Sequence, residues 1–246
     1  MTSPDGDSPT QSGAGRPLLR LTDVSKHYGN VPALHHFSLD VFSGDFIALF
    51  GPNGAGKTTL LKVLASLIKP DSGKLEFSTK QAVRGTVGYV SHHSLLYNEL
   101  TGLENLVFYG RLNQVAQAEK RAEEMLHKMG LKSAAGARVR GYSRGMKQRL
   151  TLGRALLHDP PLLLLDEPYT GLDQHGGRLL TETLRGLKEL KRTVFLVTHN
   201  AHQGLQLCSR VLIQNQGRLI FESSRQKVSD QEFEGIYFRV VGDGCE

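Results

Sequence analysis

Several things are scarce in this sequence, and each shortage narrows what the protein can be. It has two cysteines, Cys208 and Cys245, without the paired spacing of a metal site. That count offers neither a disulfide framework nor a zinc centre, and it suits a reducing cytosol. No apolar run reaches the roughly 18 residues that would suggest a membrane span. Any role at a membrane therefore needs a separate, membrane-embedded partner. No block of lysine and arginine singles out nucleic acid or lipid, although the formal net charge is +6. The N-terminus lacks a basic start followed by an apolar segment, so no secretion signal is expected. No internal repeat is visible.

What is present suits a globular protein with a real core. Of the 246 residues, 39% are hydrophobic and 22% charged, enough for one large domain or one domain with a small appendage. Residues 1–17 are rich in Ser, Pro, Gly, Thr and Asp, cannot bury apolar surface, and are expected to be a disordered tail. Strands are expected at Leu18–Leu21 and Phe37–Val41, followed by a turn at Ser43-Gly44-Asp45. Tyr28, between these strands, offers either a half-covered turn aromatic or a flat face for a ligand ring.

The stretch Gly51-Pro52-Asn53-Gly54-Ala55-Gly56-Lys57-Thr58-Thr59 organises the rest. It fits the phosphate-binding pattern G-x-x-x-x-G-K-[ST]. An apolar run, Phe46–Phe50, reads as a strand entering it, and Lys57–Leu67 reads as an amphipathic helix leaving it. Glycines let backbone N–H groups curl around phosphate oxygens. The helix start adds unpaired N–H groups and the positive end of its dipole. Lys57 is expected to reach the β- and γ-phosphates, and the Thr58 hydroxyl to ligate Mg²⁺.

Beyond Lys69-Pro70-Asp71-Ser72-Gly73, a turn, short strands are expected at Leu75–Phe77 and Val87–Val90. Residues 95–145 become more polar and mostly helical, with helices over Glu104–Leu112 and Gln114–Met129, and read as an insertion into an α/β core. Ser143 is placed to cap a helix over Arg144–Leu157. The run Leu162–Leu165 predicts a strand buried on both faces, as in a parallel sheet. Asp166 and Glu167 follow at its C-terminal end, where open α/β sheets bind ligands. A helix over Gly176–Leu190 and a strand over Val194–Val197 come next. Thr198-His199 then stands on the same rim as Lys57, Asp166 and Glu167. A hairpin over Val211–Gln214 and Arg218–Glu222 and a last strand at Glu234–Val240 complete the reading.

Together these residues resemble the ATP-binding subunit of an ABC transporter, over about Leu18 to Glu222. Gly51–Thr59 matches the Walker A loop and Leu162–Asp166 matches Walker B, with Glu167 in the position of the catalytic base. Thr170-Gly171-Leu172-Asp173 looks like the D-loop, His199 matches the switch histidine, and Tyr28 matches the aromatic that stacks on adenine. Tyr142-Ser143-Arg144-Gly145-Met146 stands where the signature Leu-Ser-Gly-Gly-Gln is usual; Ser143 and Gly145 match, and the other three depart. His92 stands where the family has a glutamine that senses Mg²⁺ and the attacking water.

The resemblance implies an α/β phosphate-loop NTPase core with a mostly parallel sheet, an N-terminal antiparallel β subdomain and an inserted helical subdomain. It implies a domain over 18–222 with the helical part at 95–145, and a C-terminal extension over 223–246. It implies ATP and Mg²⁺ as ligands. Two copies, or a copy and a paired ATPase subunit, would enclose two ATP, with Ser143 and Gly145 of one facing the phosphate loop of the other. A separate transmembrane permease would hold the protein on the cytoplasmic face of the membrane, and no nucleic-acid partner is implied.

His92, the stretch Leu100–Tyr109 and the stretch Asp166–Asp173 look most like the haem-exporter ATPase of cytochrome c maturation. The competing branch is another exporter, of drugs, polysaccharide or an unknown solute. Soluble ABC ATPases acting on ribosomes or nucleic acid usually carry two cassettes, a long coiled coil or zinc-binding cysteines, none of which is visible. A small-molecule kinase would not explain Ser143-Arg144-Gly145. A non-hydrolytic scaffold would not need Lys57, Thr58, Asp166, Glu167 and His199 together.

Overall fold

The computed structural model describes residues 15–78, 83–91 and 94–242. His92, Cys245 and the first fourteen residues of the expected tail lie outside them. The chain opens with strands β1 (Leu19–Tyr28), β2 (Val31–Val41) and β3 (Phe46–Phe50), then helix α1 (Lys57–Leu64) and strand β4 (Ser72–Phe77). A short helix α2 (Val83–Thr86) leads to β5 (Val87–Val90). Helices α3 (Gly102–Leu112), α4 (Ala118–Lys128) and α5 (Arg144–Leu156) follow. Strand β6 (Leu162–Asp166), helix α6 (Gln174–Glu189), strand β7 (Thr193–Val197) and helix α7 (Ala201–Leu207) alternate after that. The antiparallel strands β8 (Arg210–Asn215) and β9 (Arg218–Ser224) and helix α8 (Asp230–Gly242) end the described chain.

Two sheets result. The first is antiparallel, in the order β2-β1-β4. The second runs β5-β6-β7-β3-β8-β9, with β9 its one antiparallel strand. This is the expected α/β architecture, with its N-terminal antiparallel sheet and inserted helices. Strands β3, β6 and β7 are buried at every residue, which is why they read as unbroken apolar runs. Their side chains alternate between two cores. Phe46, Ala48, Phe50, Leu163, Leu165, Val194 and Leu196 join one core with the helical insertion, α5 and α6. Ile47, Leu49, Leu162, Leu164, Phe195 and Val197 join another with α1 and the antiparallel sheet. Among the described residues no helix is long and apolar enough to cross a membrane.

Boundaries moved where the backbone imposed its own stops. Helix α1 ends at Leu64 rather than Leu67, because Ser66 turns left-handed at φ 54°. Helix α4 starts at Ala118 rather than Gln114, since Gln114 and Gln117 both take positive φ. Helix α3 starts at Gly102, two residues before its expected start. Thr101 caps it by a reciprocal box: its Oγ1 accepts from Glu104 N at 3.1 Å, and Glu104 Oε2 accepts from Thr101 N at 2.8 Å.

The expected strand at Glu234–Val240 is instead part of α8. Ser229 and Glu232 form a second capping box at its start. Ile236, Phe238 and Val240 alternate along the chain as strand residues would, but Phe238 is 73% exposed. Phe233, Ile236, Tyr237 and Val240 instead share the face that meets the core, and the Phe233 ring lies 4.6 Å from that of Phe50. Helical spacing thus overrides the short alternating pattern.

Candidate active site

Strand β7 lies between β6 and β3 in the sheet. The residues that follow these three parallel strands therefore meet on one rim. The loop Gly51–Gly56 leaves β3, Glu167 follows β6, and Thr198-His199 follows β7.

The loop needs glycine for two separate reasons. Gly51, Gly54 and Gly56 take φ of 150°, 81° and 97°, which disfavours any side chain. At Gly51 and Gly56 space is lacking as well. A Cβ there would lie 2.0 Å from the Gln214 carbonyl oxygen and 1.9 Å from that of Ala33. The loop is thus pressed against β8 and β2 from behind, and Gly217 N donates to Ala55 O at 3.0 Å from the turn that follows β8. Helix α1 starts at Lys57 with no side-chain cap and no acidic residue in its first turn. Its leading N–H groups and its dipole suit an anion.

Lys57 Nζ donates to the carbonyl oxygens of Gly51 and Pro52, each at 2.7 Å. Burial pulls its pKa below the usual lysine value, and the carboxylates of Glu167 and Asp166 oppose that pull. Next along α1, Thr58 Oγ1 donates to Asp166 Oδ2 at 2.9 Å. A hydroxyl and a carboxylate oxygen this close at a helix start are hard donors of the kind Mg²⁺ takes. Among the described residues no three His, Cys, Asp or Glu side chains form a metal cage. The donor set fits an ion held by one or two protein oxygens together with phosphate.

Glu167 turns the chain sharply off β6. Its φ is 49°, and its N–H donates to Val197 O at 3.0 Å. A left-handed glutamate costs roughly 1–2 kcal/mol, and such strain gathers at functional sites. The turn brings its carboxylate Oε2 to 2.8 Å from His199 Nδ1. An ionised carboxylate only accepts, so Nδ1 carries the proton in that bond.

Other expected residues stand apart from this cluster. Ser143 caps α5, its Oγ accepting from Met146 N at 3.2 Å, and makes no hydrogen bond to the phosphate loop of its own chain. Gly145 faces Leu172, whose Cδ2 would lie 3.9 Å from a Cβ there. Tyr28 ends β1 with 51% of its surface exposed. Ala33, five residues on, is the residue whose carbonyl crowds Gly56. His92 falls outside the described residues.

The three departures in the 142–146 stretch have distinct surroundings. Tyr142 is buried, and its hydroxyl donates to Ala134 O at 2.7 Å, tying the residues just before α5 to the segment after α4. Arg144 lies flat across Gly171; its Nε would sit 2.1 Å from a Cβ on that glycine. Met146 packs against the core. Two further residues carried no signal in the sequence. Gln148 Nε2 donates to Pro168 O at 3.0 Å, linking α5 to the segment after Glu167. Gln214 sits buried behind the loop. Both depend on tertiary approach, which residue spacing does not encode.

Comparison with known proteins places this geometry. The model of the ABC transporter family matches residues 34–170. An uncharacterized ABC transporter ATP-binding protein of Bacillus subtilis is 36% identical over 93% of this chain and 78% of its own. A Nod factor export ATP-binding protein of Rhizobium johnstonii is 37% identical over 92% and 75%. A daunorubicin resistance ATP-binding protein of Streptomyces coeruleorubidus is 38% identical over 85% and 69%. Among solved structures, a dimeric ATP-binding cassette in a post-hydrolysis state with ADP and phosphate superposes with TM-score 0.77 at 27% identity, covering 84% of this chain and 98% of that one. An ATP-binding subunit of an ABC transporter superposes with TM-score 0.82 at 26% identity, covering 91% and 99%.

Proposed function

The chain belongs to the ABC transporter family as an ATP-binding, ATP-hydrolysing subunit, and we propose that it closes in pairs around two ATP to drive a separate transmembrane exporter. The observation that carries this is the rim on which Glu167 meets His199 at 2.8 Å while Thr58 meets Asp166 at 2.9 Å. Lys57 releases its two loop carbonyls and takes the β- and γ-phosphates. Thr58 and Asp166 hold Mg²⁺, which when bound neutralises phosphate charge. Glu167 orients a water and takes its proton, and His199, hydrogen-bonded to that carboxylate, fixes where it points. Tyr28 stacks on the base. Ser143 and Gly145 complete the site of the other copy from the N-terminus of α5. His92 is kept as the sensing position by resemblance alone.

Export is favoured by two of the relatives, one named for Nod factor export and one for daunorubicin resistance. Those names support an exporter of another solute over the haem branch, which rests on the resemblance of His92 and the two stretches alone. The domain division at 18–222, with its helical part at 95–145, belongs to the same reading, as does a place on the cytoplasmic face held by the partner.

The transmembrane partner needs a contact surface, and the region after β5 supplies a candidate. Leu95, Tyr97 and Phe108 are exposed there. A cleft of about 650 Å³, lined by Leu67, Leu95, Tyr109, Leu112, Arg154 and His158, opens beside them. An amphipathic cytoplasmic helix seats in such a groove by its apolar face. Leu95, 54% exposed, tests it. Leu95→Glu is expected to keep the basal ATPase rate of the isolated chain and to lose both copurification with the membrane partner and stimulation by it. The check is the ATPase rate of the assembled complex against that of the chain alone. Unaltered binding and stimulation would put the coupling surface elsewhere.

A further inference from the structure

Gln214 lies at the edge of the phosphate loop and takes no part in the chemistry above. It is the fifth residue of β8, at a register shift in the ladder to β9. Its neighbours Val211, Leu212 and Ile213 are fully buried and apolar. Gln214 is 0% exposed, yet neither Nε2 nor Oε1 has a hydrogen-bond partner among the described residues. Burying an amide with nothing to bond is unfavourable, and leucine or methionine would fill similar space without that cost.

Its surroundings give the cost a direction. The Gln214 carbonyl oxygen presses on Gly51, and its side-chain Nε2 would lie 2.8 Å from a Cβ on Gly56. Gly56 is the residue that caps α1, and it meets the Ala33 carbonyl at the same point. The amide is therefore aimed at the backbone of the loop from behind. On the other side Lys57 Nζ occupies the Gly51 and Pro52 carbonyls. A lysine that turns to phosphate frees those carbonyls, and the peptide groups of the loop readjust.

We propose that Gln214 is a positioning residue for ATP: its amide gains hydrogen bonds to the Gly51–Gly56 backbone when the loop closes on phosphate, and stays unpaired when the loop is empty. The proposal rests on the reading of Gly51–Thr59 as the phosphate site. Gln214 thereby biases the loop toward its nucleotide-bound form. It touches neither ATP nor the attacking water.

The test is Gln214→Met, which keeps the length and removes both polar atoms, with Gln214→Leu as a second variant should methionine fold poorly. The melting temperature of the nucleotide-free protein is expected to rise. The Kd and KM for ATP with Mg²⁺ should rise on the order of tenfold, the scale of one or two buried hydrogen bonds, while kcat at saturating ATP stays unchanged. A purely structural role would instead lower the melting temperature and leave ATP affinity alone, and that result overturns the proposal. Lys57→Ala separates the two readings. If it binds ATP normally, the phosphate-loop reading itself falls. If it loses ATP while Gln214→Met does not, only the role of Gln214 falls.

Discussion

Glu167→Gln protein is expected to bind ATP like the parent and to turn it over about a hundredfold more slowly or worse, the scale of lost general-base catalysis. The substitution keeps volume and one acceptor oxygen. That oxygen can still receive the His199 Nδ1 proton where the carboxylate now does, at 2.8 Å. The backbone anchor, Glu167 N to Val197 O at 3.0 Å, is untouched. Only the capacity to accept a proton from water is gone. Thr58 and Asp166 remain, so nucleotide and Mg²⁺ should stay bound. Binding by a fluorescent ATP analogue and a single-turnover rate read the two effects separately. Near-normal hydrolysis would remove Glu167 from the role of base.

Ser143→Arg is expected to abolish the ATP-driven dimer while leaving nucleotide binding by the single chain nearly intact. In one chain Ser143 only caps α5, through Met146 N, and loss of a cap costs about 1 kcal/mol. That is too little to explain complete loss of association. The larger effect lies between copies. Bulk at this position would displace the leading N–H groups of α5 from the phosphate held by the other copy. The Glu167→Gln protein, expected to hold ATP without turning it over, is the background for the test. Sedimentation with ATP should give dimer for Glu167→Gln and monomer when Ser143→Arg is added. Equal dimer in both would refute the role of Ser143.

Much of the fold was legible because burial on both faces leaves an unambiguous trace. Leu162–Leu165 and Val194–Val197 read as buried strands and Phe46–Phe50 as the strand entering the loop, so the residues after them were expected on a shared rim. That is why the sequence already sets Asp166, Glu167 and His199 on one rim, where the structure brings Glu167 Oε2 to 2.8 Å from His199 Nδ1. Legibility failed where local pattern and tertiary packing disagree. Ile236, Phe238 and Val240 alternate like a strand, but the capping box at Ser229 and Glu232 and the packing of Phe233 on Phe50 make a helix. It also failed for residues whose importance is a close approach. Nothing in the run Val211-Leu212-Ile213-Gln214 says that Gln214 abuts Gly51 and Gly56, which lie more than 150 residues earlier. Arg144 over Gly171 is equally silent in one dimension.

The composite site is the centre of the account, and the dependence of ATPase rate on protein concentration tests it most directly. On the proposed reading, the base, the lysine and the carboxylate that would face Mg²⁺ come from one chain, while Ser143 and Gly145 would reach phosphate only from a second. The rate per molecule of the unmodified protein, at saturating ATP and Mg²⁺, should therefore rise with protein concentration and level off as dimers fill. A rate per molecule that stays constant from dilute to concentrated protein would mean that one chain holds the complete site, and would contradict the account.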